Sequence, residues 1–193
     1  MNESIVDWFL SVATASDFTD CTVIEIGSRW INGGLRPQIQ ACGPASYTGC
    51  DPVPGPGVDD VCDADGLLSA LGAAAADVII ATEVLHAAEE WRSLFVACHA
   101  LLRPGGIIFL TTRSPGAPML DFPRDFWRFT ADDVRAIFAS WEILSFEEDD
   151  LYPGIMVKAI RTAAPIADLV PIEPWRMQKA KWRPTVRTSN TRS

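Results

Sequence analysis

The feature that most constrains this chain is an alternation of period. Short runs rich in β-branched residues, each too short for a helix, are separated by segments whose apolar residues recur every three or four positions. The short runs predict strands at Thr22–Ile26, Ser46–Cys50, Val58–Cys62, Asp77–Ala81 and Ile107–Thr112. The intervening segments predict helices at Asn2–Thr14, with Ile5, Trp8, Phe9 and Val12 on one side, then Leu35–Ala41, Asp65–Ala74 and Ala88–Leu101. Strands alternating with helices build a mostly parallel sheet covered on both faces. Toward the end the pattern changes: Thr130 caps a further helix, with Asp133 completing a capping box. Ile143–Glu147 and Ile155–Ile160, joined through Tyr152-Pro153-Gly154, predict an antiparallel pair that closes the sheet.

At 193 residues and 48% hydrophobic composition, the chain is expected to form one globular domain over residues 1–161, followed by a tail over 162–193. Pro165, Pro171, Pro174 and Pro184 leave that tail little room for regular structure, although Trp175 and Trp182 could pack locally. Charge divides along the same line. Residues 157–193 hold eight Lys/Arg against two acids, and residues 1–156 eight against 23. An acidic body repels a nucleic-acid backbone, so nucleic acid is an unfavourable partner, while the basic tail could hold a protein partner. No window approaches the roughly 18 apolar residues of a membrane span. Residues Met1–Asp7 carry acids where a signal peptide carries bases, so a cytoplasmic location is expected. The five cysteines, 21, 42, 50, 62 and 98, form no CxxC pair and read as buried free thiols, and no metal site is expected.

Four strand ends in a row carry polar groups: Glu25-Ile26-Gly27-Ser28, Asp51, Asp63-Ala64 and Thr82-Glu83. In an open parallel sheet such ends line one crevice, where ligands bind. Gly27 would let the backbone approach a ligand closely, and Ser28 can offer hydroxyl and amide hydrogen bonds. Asp51 can accept from both hydroxyls of a ribose, or is a solvated turn residue before Pro52. Asp63 can accept from an adenine amino group, or caps the helix that follows. After Gly27 the next glycines are Gly33 and Gly34, too late for a dinucleotide GxGxxG turn, and no GxxxxGK[ST] occurs. An adenosine cofactor without phosphates therefore fits better. Glu25 suits a ligand with an ammonium or sulfonium charge and would repel a pyrophosphate.

The blocks VIEIGSRWINGG, YTGCDPVPGPGVDDVCDAD, ATEVLHAAEEW, LLRPGGIIFLTTRSPG and DFWRFTADDVRAIF together resemble the class I S-adenosylmethionine-dependent methyltransferases, in particular the small methyltransferase-11-like bacterial and phage proteins. The resemblance covers about Asn2 to Arg161 and implies a Rossmann-like, doubly wound α/β fold. Its seven-stranded sheet would be mostly parallel with an antiparallel C-terminal strand pair. S-adenosyl-L-methionine is the implied cofactor. Glu25, Gly27 and Ser28 would surround its methionine part, Asp51 its ribose, and Pro52 and Val53 its adenine. Asp63 and Ala64 would meet the adenine amino edge; Thr82 and Glu83 would line the methionine end. Arg103-Pro104-Gly105-Gly106 would be the turn between the fourth helix and fifth strand.

Methyl transfer from a sulfonium is an in-line displacement, in which positioning can contribute roughly 7–11 kcal/mol and a base is needed only where the nucleophile must lose a proton. The long, aromatic, proline-bearing stretch Pro115–Arg128 has the composition of a substrate lid. Within and beside it, Asp121 could orient or deprotonate a hydroxyl, as could Asp125, while Arg113, Arg124 and Arg128 could clamp an anionic substrate with Trp127 beside them. The other reading is that Phe126, Trp127 and Phe129 anchor the loop and Arg128 pairs with a neighbouring acid. Where relatives read EVLEHV this chain has Glu83-Val84-Leu85-His86-Ala87, and a lid histidine is replaced by Leu120. His86 is then the one plausible imidazole base. A small-molecule or saccharide hydroxyl is the expected acceptor, and a non-catalytic binding or assembly protein the alternative.

Overall fold

The computed structural model describes residues 2–30, 33–120 and 124–177. Its strands are β1 (Thr22–Ile26), β2 (Ser46–Asp51), β3 (Asp60–Val61), β4 (Ala76–Ala81), β5 (Leu102–Arg113), β6 (Trp127–Arg128), β7 (Trp141–Asp149), β8 (Gly154–Arg161) and β9 (Trp175–Arg176). The helices are α1 (Glu3–Val12), α2 (Arg36–Gln40), α3 (Leu67–Leu71), α4 (Trp91–Leu101) and α5 (Ala131–Ile137). Seven strands form one sheet in the order β3-β2-β1-β4-β5-β8-β7. β1 to β5 are mutually parallel, and β8 runs antiparallel to both β5 and β7. The expected α/β fold, mostly parallel with an antiparallel C-terminal pair, is what the chain adopts.

Period-two alternation in the strands makes this a two-faced sheet. Ile24, Ile26, Ile79, Ile108 and Leu110 face one core with α3, α4 and α5. Val23, Val78, Ile80 and Phe109 face the other with α1 and α2. On that second face Phe109 stacks on Phe18, with ring centroids 5.6 Å apart, and meets Phe9 at 5.1 Å. The Thr130 capping box forms as the sequence predicts: Asp133 N donates to Thr130 Oγ1 at 3.1 Å, and Thr130 N donates back to Asp133 Oδ2 at 2.8 Å.

Helices α2, α3 and α4 are shorter than expected, α3 by half, and three further differences shape the sheet and its cover. β3 shrinks to two residues because it is an edge strand, paired only with β2 and preceded by the turns at Gly55 and Gly57. β5 begins at Leu102, ahead of the Arg103-Pro104-Gly105-Gly106 turn. Leu102 pairs with Ala76 and Ile107 with Val78, so the turn is an irregularity inside the ladder, with Gly105 at φ +83°. Third, the segment beyond Arg161 contains regular structure. Leu169 and Ile172 are buried against α4, whose Arg92 donates to both their carbonyls, and β9 pairs antiparallel with β6. Prolines interrupt this strap, but its apolar residues cover core that α4 would otherwise leave open. The Trp175 side chain is exposed, and Trp182 lies outside the described residues. All five cysteines are free. Among the described residues no helix is long and apolar enough to cross a membrane.

Candidate active site

Strand order reverses between β1 and β4, and the carboxyl ends of the strands open there onto a cleft of about 1430 Å³. At the end of β1 the chain turns back at once, with Gly27 N and Ser28 N both donating to Cys50 O, at 2.8 and 3.1 Å. The turn requires φ +73° at Gly27, and a Cβ there would lie 2.0 Å from Val84 Cγ1. Only glycine meets both demands. Ser28 is buried, and its Oγ has no hydrogen-bond partner among the described residues.

Glu25, one residue inside β1, is 3% exposed and accepts from Tyr47 Oη at 2.6 Å. Burial pushes its carboxyl up to about 7, against the pull of the Tyr47 hydrogen bond and Arg36. Tyr47 was missed in the sequence because its relation to Glu25 depends on register: Glu25 is paired with Gly49, two residues further along β2.

Asp51, at the end of β2, accepts from Val53 N at 2.8 Å and has Arg29 Nε 3.9 Å from the same oxygen. Asp63 Oδ1 accepts from Gly66 N at 3.0 Å in the turn that precedes α3, and Asp63 also lines the cleft. At the end of β4, Glu83 adopts φ +58°, outside the range ordinary for a non-glycine residue. Its N–H donates to Thr111 Oγ1 at 2.9 Å and its Oε2 accepts from Arg113 Nε at 3.1 Å. Burial raises Glu83 above the usual carboxyl range, opposed by Arg113.

His86 sits in a short 3₁₀ turn, 1% exposed, with Nδ1 lacking a partner among the described residues. Burial first, and then the positive charges of Arg113 and Arg128, push its imidazole down to about 3 against the opposing Asp125. At neutral pH the imidazole is therefore uncharged.

All ten expected cofactor residues, Glu25, Gly27, Ser28, Asp51, Pro52, Val53, Asp63, Ala64, Thr82 and Glu83, line this one cleft, together with His86 and Arg113. Asp125, Trp127 and Arg128 do not line it. Arg128 and Asp125 form a buried ion pair, with side chains 1% and 0% exposed, and the guanidinium also donates to the carbonyls of Ala117, Pro118 and Trp127. Trp127 Nε1 donates to Ala88 O at 3.0 Å. These three hold the loop in shape, in agreement with the anchoring alternative. Asp121 lies outside the described residues. Among the described residues no group of three or more His, Cys, Asp or Glu is arranged to hold a metal ion.

A family model described as a methyltransferase domain matches residues 2–149. The chain belongs to this methyltransferase-domain family. The class I resemblance read from its motifs is thereby borne out, and the domain's architecture recurs in solved structures. A 1,6-didemethyltoxoflavin-N1-methyltransferase from Burkholderia thailandensis, solved with 1,6-didemethyltoxoflavin and S-adenosylhomocysteine, superposes with a TM-score of 0.59 at 15% identity, over 83% of this chain and 77% of that one. An S-adenosylmethionine-dependent methyltransferase from Mesorhizobium loti gives 0.60 at 17% identity, over 80% and 96%. The chain also aligns with the polyketide synthase ThaQ of Burkholderia thailandensis, 35% identical over 63 residues, covering 31% of this chain and 3% of the synthase.

Proposed function

We propose that this methyltransferase domain transfers a methyl group from S-adenosylmethionine to a hydroxyl of a small molecule or saccharide. The observation that carries the reading is the rim itself: polar residues from four separate strand ends converge on one cleft around a backbone turn that has no room for a Cβ. When bound, the cofactor supplies an electrophilic methyl on a sulfonium. Asp51 holds the ribose hydroxyls, Pro52 and Val53 flank the adenine, and Asp63 and Ala64 meet its amino edge. Gly27 admits the methionine part closely, and the unpartnered Ser28 Oγ gains a hydrogen bond. Glu25 ionises in favour of a cationic ligand, and Thr82 and Glu83 line the methionine end.

On the acceptor side, a hydroxyl must lose its proton to become a good nucleophile. The Glu83 carboxyl, with proton affinity raised by burial, suits that exchange better than His86, which instead orients the hydroxyl through its open Nδ1. Arg113 fixes Glu83 and adds positive charge for an anionic acceptor. Asp121 remains a sequence-based candidate for the same hydroxyl, and the basic tail a candidate contact for a protein partner. The low proton affinity of His86 favours one second reading, a methyltransferase-fold binding or assembly protein. Release of S-adenosylhomocysteine with a hydroxyl acceptor distinguishes the two.

Calorimetric titration with S-adenosylhomocysteine tests the rim. Binding is expected in the micromolar range, roughly −8 kcal/mol. Asp51→Ala is expected to lose about 2 kcal/mol of that. Equal affinity in the two proteins would refute the ribose assignment.

A further inference from the structure

Beside the cleft lies a second chamber of about 440 Å³, between the loop that follows β5 and the β9 strap. Glu89, Leu120, Arg124 and Phe126 line both spaces, so the chamber opens sideways off the acceptor end of the cleft. Its frame is built rather than incidental. Met177 N donates to Phe126 O at 2.7 Å, Phe126 N donates to His86 O at 2.9 Å, and β9 pairs with β6 directly below. The strap itself lies beyond the residues that match the family model.

The chemistry of the walls is specific. Met119, Leu120, Phe126 and Met177 supply apolar surface, two of them pliant thioethers that fit irregular shapes. Among the described residues four charged side chains also line the space, and three are already paired. Arg176 pairs with Glu89 at 2.8 Å, and Asp125 is held by Arg128. Arg124 has no carboxylate partner among the described residues. The balance among the described residues is one exposed guanidinium, Arg124, at the mouth of a half-open, mostly apolar recess. A cation would be repelled there, and a dianion would face Glu89 and Asp125. The volume falls within the roughly 300–1,000 Å³ usual for small-ligand sites, enough for a ring-sized body.

We propose that this chamber is a second subsite, which takes the carboxylate-bearing, otherwise apolar end of the methyl acceptor, with Arg124 pairing to the carboxylate. The proposal rests on the methyl-transfer reading for the identity of the molecule, whereas the chamber's preference for a monoanion stands on its own walls. A planar carboxylate can accept two hydrogen bonds from a guanidinium, a geometry that a neutral amide cannot match.

Benzoate is the probe, with benzamide as its uncharged counterpart. Each is titrated into the full chain, with and without saturating S-adenosylhomocysteine, by isotope-edited amide NMR. Benzoate is expected to shift amides of Ala117, Met119, Leu120 and of residues 124–128 and 175–177, and to bind about tenfold more tightly than benzamide, as the loss of a charge-assisted bond implies. Arg124→Gln is expected to erase that preference, and Met177→Trp to block both probes by filling the space, while neither variant alters S-adenosylhomocysteine affinity. No saturable benzoate binding to the wild type, shifts elsewhere in the protein, or an undiminished preference in folded Arg124→Gln each overturns the subsite. Failure of S-adenosylhomocysteine to bind while benzoate still does overturns the methyl-transfer reading and leaves the chamber standing.

Discussion

Arg113 and Glu83 meet across the end of the sheet, Nε to Oε2 at 3.1 Å, although 30 positions separate them in the chain. The last residues of β5 hold Glu83 twice, since Thr111 takes its backbone N–H while Arg113 takes its carboxylate. That double grip maintains the left-handed backbone at φ +58°.

The backbone cost can be separated from the carboxylate's role. Glu83→Gly and Glu83→Ala both delete the ion pair, but only glycine is at ease with this φ. The glycine variant is expected to be the more stable of the two by about 1 kcal/mol in urea unfolding. The reverse order would mean that the turn relaxes once the carboxylate is gone.

Glu25 makes stability depend on pH. Its folded value, about 7, lies above the ordinary 4.5, so between these limits the folded chain binds more protons than the unfolded one. Stability therefore falls as pH rises from 4.5 toward 7. The full loss is on the order of 3 kcal/mol. Glu25→Gln, which keeps an acceptor for Tyr47, is expected to flatten that slope in denaturant titrations across the range. A slope unchanged in the variant would assign the dependence to other groups.

The buried pair of Asp125 and Arg128 anchors the loop over the cleft. Asp125→Asn alone or Arg128→Met alone leaves an unmatched charge or an incomplete hydrogen-bond set, and is expected to cost about 3–5 kcal/mol. Asp125→Leu combined with Arg128→Met removes both charges and is expected to recover a large part of that loss. A double-mutant cycle by equilibrium denaturation gives the answer directly; strict additivity would contradict the pairing.

At Gly27 the restriction is both conformational and steric. Gly27→Ala is expected to destabilise the protein by about 1–3 kcal/mol and to weaken S-adenosylhomocysteine binding. Adding Val84→Ala relieves the contact with Cγ1 but not the φ, so partial recovery is expected in thermal unfolding. Complete recovery would show that crowding alone excludes a side chain.

Much of this fold is written in local sequence. The runs at Thr22–Ile26, Ser46–Asp51 and Ala76–Ala81 are β-branched and buried, and their ends fix the rim once the sheet is parallel. Glu25, Gly27, Asp51 and Glu83 were legible for that reason. Relations between distant segments were not. Asp125 and Arg128 lie only three positions apart, so their pairing is one of the two readings the sequence offers, but loop residues carry no periodicity to say which way they face. The strap was hidden by its prolines, which suppress the strand signal while Leu169 and Ile172 are too sparse to form a pattern. The neutral state of His86 follows from its burial beside Arg113 and Arg128, neither of which is near it in the chain.

Because β8 is inserted between β5 and β7, the order of synthesis differs from the order of assembly. During translation β5 emerges with its permanent neighbour still unmade, and α5 and β7 must both be polymerised before that edge can be covered. Nascent chains therefore pass through a stage with a long, apolar, unsatisfied strand border, the kind of surface that chaperones bind and that self-associates when they are scarce.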